Sequence, residues 1–507
     1  MGGYLPAAPE ERRRQYEALG LSGPRDLYRD VPDEVYIDGP LDLPEPKSEL
    51  EVRRAMENLA AQNVRFSTIL RGAGAYDHYI PAAVSRIASK EEFVTAYTPY
   101  QAEISQGVLQ SIFEFQTMIC ELTGMDASNA SVYDGASAAA EGVAMCRDRK
   151  RTKAVVSGAA HPDVIATIQT YCFGAGTEVV VAPVKDGRTD LTGLVDDQTA
   201  CVYIQEPNFY GLLEDGAALA QMAHEGGAKL IAGVNPITLG VLEPPAAWGA
   251  DIAVGEGQPL GLPLSWGGPY LGFMSTTHAM MRKLPGRIVG ETTDKDGNRT
   301  FVLTMQAREQ HIRREKASSN ICSNEALCAL TALVYLSMMG PGGLKQVGEQ
   351  CYAKAHYLAS ELCKLPGVKL HFPGPFFHEF VTDLPNHNGV LSGLEAKGIL
   401  GGLPLRDGLL WCVTEKQTKA ELDQTVAIVK EVLGIWNCSL SAAAPAGAPT
   451  CCPRWMCRSA RCLRSLPGRM PPACPRLGRA TCPVTIRLWP AGHSACATVF
   501  IPWAPAP

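Results

Sequence analysis

Between residues 105 and 123, apolar side chains recur at Val108, Ile112, Phe115, Ile119 and Leu122, in steps of four, three, four and three. That spacing keeps them on one face of a helix, with Ser105 as a candidate N-cap and Gly124 standing where such a helix stops. From 150 to 275 the texture changes to short β-branched runs at 154–157, 178–182, 200–205, 229–232, 252–254 and 271–275. Helical or polar stretches, notably 161–173 and 215–227, separate most of them. Apolar strands joined by connections of that length predict an α/β fold: a mostly parallel sheet with helices on both faces. A strongly apolar helix is expected over 320–339, ended by Gly340-Pro341-Gly342-Gly343.

The same reading divides the chain. Residues 1–65 form a helical arm punctuated by Pro32, Pro40, Pro44 and Pro46, with a capped helix starting at Ser48. Residues 66–330 make the large α/β domain. Residues 331–437 make a small α+β domain whose last helix, 418–433, Thr418 would cap. Residues 438–507 do not resemble the rest: they are rich in Pro, Ala, Arg and Cys and show no sustained period. That composition supports no core of its own, so the tail is expected to be disordered or foreign to the native reading frame, with a basic partner-binding arm as the alternative.

Charge and cysteine usage split at the same place. The 507 residues carry 46 basic and 52 acidic side chains, but after Glu431 there are eight Arg and no acid. The body therefore holds 46 − 8 = 38 bases against 52 acids, a net of −14, which argues against nucleic acid as its main partner. Of the seventeen cysteines, nine lie between Cys120 and Cys412 among mostly apolar neighbours and read as reduced core residues. The other eight belong to the tail and lack the spacing of a zinc site, so no metal centre is expected. No continuous uncharged apolar run of about 18 residues occurs, which predicts no membrane span. Met1 to Gln15 contains Glu10-Glu11-Arg12-Arg13-Arg14 and no apolar stretch, so no secretory signal is expected and the cytoplasm is the predicted compartment.

Three polar segments are candidates for chemistry. Thr95 to Gly107 gathers Tyr97, Thr98, Tyr100, Glu103 and Gln106 around a proline turn, as a cleft lining or as a surface loop. Asn129 to Glu141 runs through Tyr133 and Asp134 into an alanine-rich helix, whose N-terminus suits an anion or simply caps a tightly packed helix. Leu303 to Cys322 carries Arg308, Gln310, His311 and Arg313; these form a solvated helix face, or the two arginines grip a carboxylate or phosphate.

Together the runs Y-T-P-Y-Q-x-E-x-S-Q-G, N-A-S-x-Y-D-G and R-E-Q-H-I-R-R-E-K-A-x-S-N-I-C resemble the P-protein family of the glycine cleavage system. So do Gly72-Ala73-Gly74-Ala75-Tyr76-Asp77-His78-Tyr79-Ile80-Pro81 and the segment from Met281 to Gly290. The resemblance runs from residue 2 to about 435, the length of the N-terminal-half type, or first subunit, of that enzyme. It implies a large domain like the fold-type I pyridoxal-phosphate transferases. It also implies a decarboxylase that releases CO₂ from glycine and hands the aminomethyl group to the lipoyl arm of the H-protein. Such chemistry needs a lysine to hold the coenzyme as a Schiff base, an aspartate beside the ring nitrogen and a phosphate cradle.

The sequence departs from that set at two positions. Asn235 stands where the aspartate is expected, and the lysine region reads Gly255-Glu256-Gly257-Gln258-Pro259, with no lysine between Lys229 and Lys283. The resemblance therefore implies the subunit without the coenzyme lysine, in an α₂β₂ heterotetramer whose lysine-bearing second subunit holds pyridoxal phosphate. This chain would then complete the partner's site with Tyr97, Thr98, Tyr100, Glu103, Gln106, Tyr133, Asp134, Arg308, Gln310, His311 and Arg313. His161 stands where this fold stacks a ring on the coenzyme and is expected to be a satisfied structural histidine. Two other readings stay open: a self-sufficient decarboxylase or lyase of this fold, and a non-catalytic binding or regulatory protein built on a degenerate version of it.

Overall fold

Seven strands make the central sheet: β1 (Ala127–Ser128), β2 (Lys153–Ser157), β3 (Glu178–Ala182), β4 (Thr199–Glu206), β5 (Lys229–Val234), β6 (Ile252–Glu256) and β7 (Gly272–Thr276). Their order is β1-β7-β6-β5-β4-β2-β3 in the computed structural model. The model describes residues 7–441 apart from 38, 40, 97–98, 306–309, 318, 322–323 and 407. The chain divides into two units after Trp436. The tail expectation for 442–507 lies outside the described residues.

Strands β3, β2, β4, β5 and β6 run parallel. Strand β7 is antiparallel to both of its neighbours. The six expected strands are present, and only the two-residue β1 went unexpected. Their two-residue period sorts side chains onto two cores. Val155, Val202, Ile204, Leu230 and Ala253 face one, while Ala154, Val156, Tyr203, Ile231 and Val254 face the other. Burial on both faces explains why these strands read as unbroken apolar runs.

The N-terminal arm contains α1 (Pro9–Ala18) and α2 (Glu49–Ala60), neither of which buries a residue. Ser48 and Glu51 close a reciprocal capping box at the start of α2. The first core is covered by α3 (Gln106–Thr123), which ends at Gly124 in the left-handed conformation. Two details of the helix differ from expectation. Its buried face is centred on Leu109, Ile112, Phe115, Gln116 and Ile119, and Ser105 makes no side-chain cap. The Gln106 amide instead ties the first turn to Ala102 O at 2.7 Å and Phe301 O at 2.9 Å. The second core is covered by α4 (Gly135–Cys146) and α5 (Pro162–Ala175). On the first side lies α6 (Gly216–Glu225).

The apolar helix expected over 320–339 begins later and continues further, as α7 (Ala326–Cys363). Residues 324 and 325 are held out of it. Asn324 donates to Ala130 O at 3.3 Å, and the Glu325 backbone N–H donates to Ser131 Oγ at 3.0 Å. Gly340, at φ 60° and ψ 178°, breaks the helix as expected, but Pro341 then opens a second helical stretch directly. Cys328 to Cys351 pack in the first large-domain core, and Ala355 to Leu362 pack in the core of the small domain.

The small domain pairs β8 (Lys369–Leu370), β9 (Glu379–Asp383), β10 (Leu403–Pro404) and β11 (Leu409–Cys412) in the antiparallel order β8-β9-β11-β10. Helices α8 (His387–Glu395) and α9 (Lys419–Ser441) complete it. Thr418 and Glu421 form the cap of α9 that the sequence suggested. Trp411 is fully buried, and its Nε1 donates to Thr382 Oγ1 at 2.9 Å. Leu70 packs in the same core, because Thr68–Ile69 pairs in parallel with Ile399–Leu400. Of the described cysteines, Cys363 is exposed and Cys120 half-buried, while the other six are buried and unpaired.

The backbone of Gly340 lies in a region that side chains with a Cβ rarely enter, although nothing within 4 Å would touch that Cβ. Gly340→Ala is expected to cost about 1–3 kcal/mol through backbone strain. Gly342→Ala, equally open in space and without positive φ, is expected to leave the denaturant midpoint unchanged or raise it.

Candidate active site

The C-terminal ends of β4, β5 and β6 open onto a cavity of about 320 Å³. Tyr203 and Gln205 of β4, Gly233 to Asn235 at the end of β5, and Gly255 and Glu256 of β6 form its floor. The starts of α4 and α5 supply Asp134 to Ala136 and His161, Asp163 and Val164. The loop Ala73 to Tyr76 and the small-domain pair His378 and Glu379 close it, and Tyr270 stands at one side. Helix starts meet strand ends here because each parallel strand must turn back through a helix on the same edge of the sheet.

Glu256 organises this edge. Its Oε1 accepts from the backbone N–H of Gln258 and of Leu271, each at 2.9 Å, and its Oε2 accepts from Gly135 N–H at 3.0 Å. Gly135 is needed there, since a Cβ would lie 2.8 Å from the Glu256 nitrogen. Burial raises the Glu256 carboxyl above the usual range, an effect the three N–H donors oppose. Asp134 caps α4 by accepting from Ser137 N–H at 2.7 Å.

Gln258 is 1% exposed, and both ends of its amide are engaged. Oε1 accepts from Tyr76 N–H at 2.9 Å, while Nε2 donates to Tyr76 O at 3.0 Å and Leu262 O at 2.8 Å. Asn235 Oδ1 accepts from Ile237 N–H at 3.0 Å. Its Nδ2 is buried without a hydrogen-bond partner. His161 uses both ring nitrogens. Nδ1 accepts from Asp163 N–H at 3.1 Å, so the proton sits on Nε2, which donates to Ala73 O at 2.9 Å. Its ring meets Phe209 edge-on at 5.1 Å.

Glu379 joins the small domain to the glycine-rich loop. Ala73 N–H donates to Oε1 at 2.7 Å and the Tyr76 hydroxyl to Oε2 at 2.8 Å. Burial lifts its carboxyl to about 7. The neighbouring His378 is 3% exposed, neither ring nitrogen has a partner, and burial lowers it to about 3. Deeper in, His78 Nδ1 pairs with Glu415 Oε2 at 2.7 Å, and Cys351 Sγ lies 3.5 Å from the same oxygen. Burial and that carboxylate hold the thiol well above its ordinary value, so it donates to Glu415 as a neutral S–H. His78, Cys351 and Glu415 thus share one buried hydrogen-bonded cluster, in which His78 Nε2 has no partner.

Of the residues singled out in the sequence, the structure gathers Asp134, His161 and Asn235 around the cavity. Gln258 lies behind its wall. Tyr100 and Gln106 sit elsewhere, beside the hairpin Val289–Thr293/Arg299–Leu303. There the Tyr100 hydroxyl donates to Asn324, and Gln106 Oε1 accepts from Phe301 N–H at 2.8 Å. Glu103 is exposed, as are Gln310, His311 and Arg313, while Tyr133 is 38% exposed. Tyr97, Thr98 and Arg308 lie outside the described residues. Sequence reasoning missed Glu256, Tyr203, His378 and Glu379 as lining residues. For Glu256 a signal existed: it is the one Asp, Glu, Lys or Arg between Asp251 and Arg282, and it ends an apolar strand.

Residues 2–429 match the family profile of the glycine cleavage system P-protein. The chain belongs to that family. It is 50% identical over 444 residues to the probable glycine dehydrogenase (decarboxylating) subunit 1 of Carboxydothermus hydrogenoformans, covering 85% of this chain and 99% of the relative. The protein of the same description from Moorella thermoacetica is 48% identical over 442 residues, with the same coverage. A crystal structure of glycine decarboxylase (P-protein) in inhibitor-bound form superposes with a TM-score of 0.81 at 43% identity, covering 85% of this chain and all of that one. Sphingosine-1-phosphate lyase of Burkholderia pseudomallei, at 14% identity and a TM-score of 0.58, shares the fold, over 82% of this chain and all of its own. So does glutamate decarboxylase of Lactobacillus brevis, at 14% and 0.59, over 79% of this chain and 96% of its own. The large domain is thus of the fold-type I pyridoxal-phosphate class expected from the motifs.

Within this P-protein fold, the cavity does not suit a phosphorylated aldehyde coenzyme. The position expected for the lysine holds an amide already bonded to backbone, and the position expected for the aspartate holds Asn235. At the start of α4, two backbone donors are already taken by Glu256 and Asp134. No Lys or Arg lines the cavity among the described residues.

Two outcomes follow. Gln258→Ala leaves the Tyr76 N–H and carbonyl without their buried partner and is expected to lower stability by about 2–4 kcal/mol in denaturant titration. Glu379 titrates near 7 when folded, above its unfolded value of about 4.3, so its stabilising effect is complete below about pH 4 and fades as pH rises through 7. Glu379→Gln is therefore expected to flatten the fall in melting temperature between about pH 4.5 and 7.

Proposed function

We propose that this chain is the first subunit of a heteromeric glycine decarboxylase of the glycine cleavage system. The enzyme removes the carboxylate of glycine as CO₂ and passes the remaining aminomethyl group to the lipoyl arm of the H-protein. Pyridoxal phosphate is held covalently by a lysine-bearing second subunit of similar fold, in a cytoplasmic α₂β₂ assembly, and not by this chain. One observation carries the reading: the buried side chain of Gln258, in the region where a lysine would be needed, is bonded to the backbone of Tyr76 and Leu262. The description of the relatives as subunit 1 supports a second subunit.

In this reading the chain contributes surface to the partner's site. Tyr100, Glu103, Tyr133, Gln310, His311 and Arg313 face the partner's coenzyme, its substrate or the lipoyl arm, and the sequence motifs assign Tyr97, Thr98 and Arg308 to the same role. Gln106 acts indirectly, by fixing the hairpin strand at Thr300 and Phe301 against the start of α3. Exposed cationic and amide groups suit this role because the substrate is a small carboxylate, which arginine recognises through paired N–H donors.

Mixing tests the assembly. Neither subunit alone is expected to exchange glycine carboxyl with CO₂, and the mixture is expected to do so. Borohydride reduction of the active mixture is expected to fix the coenzyme to the partner only; a label on this chain would sink the proposal. Arg313→Ala is expected to lower kcat/KM for glycine about tenfold, equivalent to about 1.4 kcal/mol, without changing co-elution with the partner.

A further inference from the structure

The cavity at the sheet edge keeps a volume of about 320 Å³, enough for a single-ring compound, although its polar groups do not suit the coenzyme of the fold. Its charge points to a different ligand. The carboxylates of Asp134, Asp163 and Glu256 line it, and none of its described lining residues is Lys or Arg. His161 is neutral by its hydrogen bonds, with Nδ1 accepting and Nε2 donating. The start of α4, where the helix dipole would favour an anion, is already covered by two anionic side chains. An added phosphate would face both at close range, and none of the described lining residues is a Lys or Arg that could offset them.

The walls are aromatic. Tyr76, Tyr203 and Tyr270 line the cavity with the His161 ring. Gly233 accommodates Tyr203 specifically, since a Cβ there would lie 2.3 Å from the tyrosine hydroxyl. Carboxylates among aromatic faces attract a cation both by charge and through the ring quadrupoles. A second observation is independent of charge. His378, 3% exposed and lining the same cavity, has no hydrogen-bond partner on either ring nitrogen, whereas a buried polar side chain normally has one.

We propose that this cavity is a binding site for a small arylmethylamine, an aromatic ring bearing a protonated aminomethyl group and no phosphate. The ring lies among the tyrosines, and the ammonium meets Asp134 and Glu256. The site belongs to this chain alone and does not depend on the assembly proposed above, so either can fail without the other.

The test is calorimetric titration of the isolated full chain with three probes that differ by one group. Pyridoxamine carries ring and ammonium, pyridoxine replaces the amine by a hydroxyl, and pyridoxamine 5′-phosphate adds the phosphate. Pyridoxamine is expected to bind at least tenfold more tightly than either of the others. Asp134→Asn keeps an N-cap and removes one charge. It is expected to weaken pyridoxamine about threefold to tenfold while leaving the melting temperature close to that of the parent. No binding of pyridoxamine, equal or tighter binding of the phosphorylated probe, or equal binding of pyridoxine would each overturn the proposal. Because the probes are compared on the unaltered chain, the result stands even if a variant fails to fold.

Discussion

A buried carboxylate surrounded by three backbone donors holds the working edge of this protein together. Glu256 ends β6 and takes N–H groups from Gly135 at the start of α4, from Leu271 just before β7, and from Gln258 in its own turn. Helix, sheet and loop thus share one acceptor. A charge so enclosed is costly unless bonded, and the bonds are charge-assisted, so the arrangement tolerates little displacement. Gln258 extends it by clasping the peptide groups of Tyr76, and Tyr76 in turn donates its hydroxyl to Glu379 of the small domain. Large and small domains are connected through this chain of polar contacts.

The side chains at the two positions where the sequence leads us to expect a lysine and an aspartate are engaged in structural hydrogen bonds. An amide at 258 makes three hydrogen bonds to main chain in a buried setting. A lysine there would carry three donors, no acceptor and a charge, leaving the Tyr76 N–H unmatched. The amide at 258 is therefore tied to its neighbourhood: placing a lysine there would break a packed joint before it created a reactive amine. Asn235 is less well integrated, with one end bonded and the other not.

Much of the fold was legible because it rests on periodicity. The runs at 154–157, 178–182, 200–205, 229–232, 252–254 and 271–275 are strands, since residues buried on both faces leave an unmistakable apolar trace. Caps at Ser48 and Thr418 were legible for the same local reason. The N-terminal bounds of α7 were not, because Asn324 and Glu325 are captured by Ala130 and Ser131, some 190 residues earlier in the chain. The cavity was legible in part. Asp134, His161 and Asn235 stand at motif positions, but His378 and Glu379 reach it through the packing of a second domain, and no spacing within 66–330 announces them.

The pairing of Thr68–Ile69 with Ile399–Leu400 has a bearing on how the protein is made. Ser67 meets Gly398 across 331 residues, and Leu70 lies in a buried core whose other members run from Leu212 onward. A ribosome delivers this early stretch long before its mate. Until the late strands emerge, the nascent polypeptide displays an apolar edge with no home, the circumstance in which chaperones matter most and in which premature release leads to aggregation.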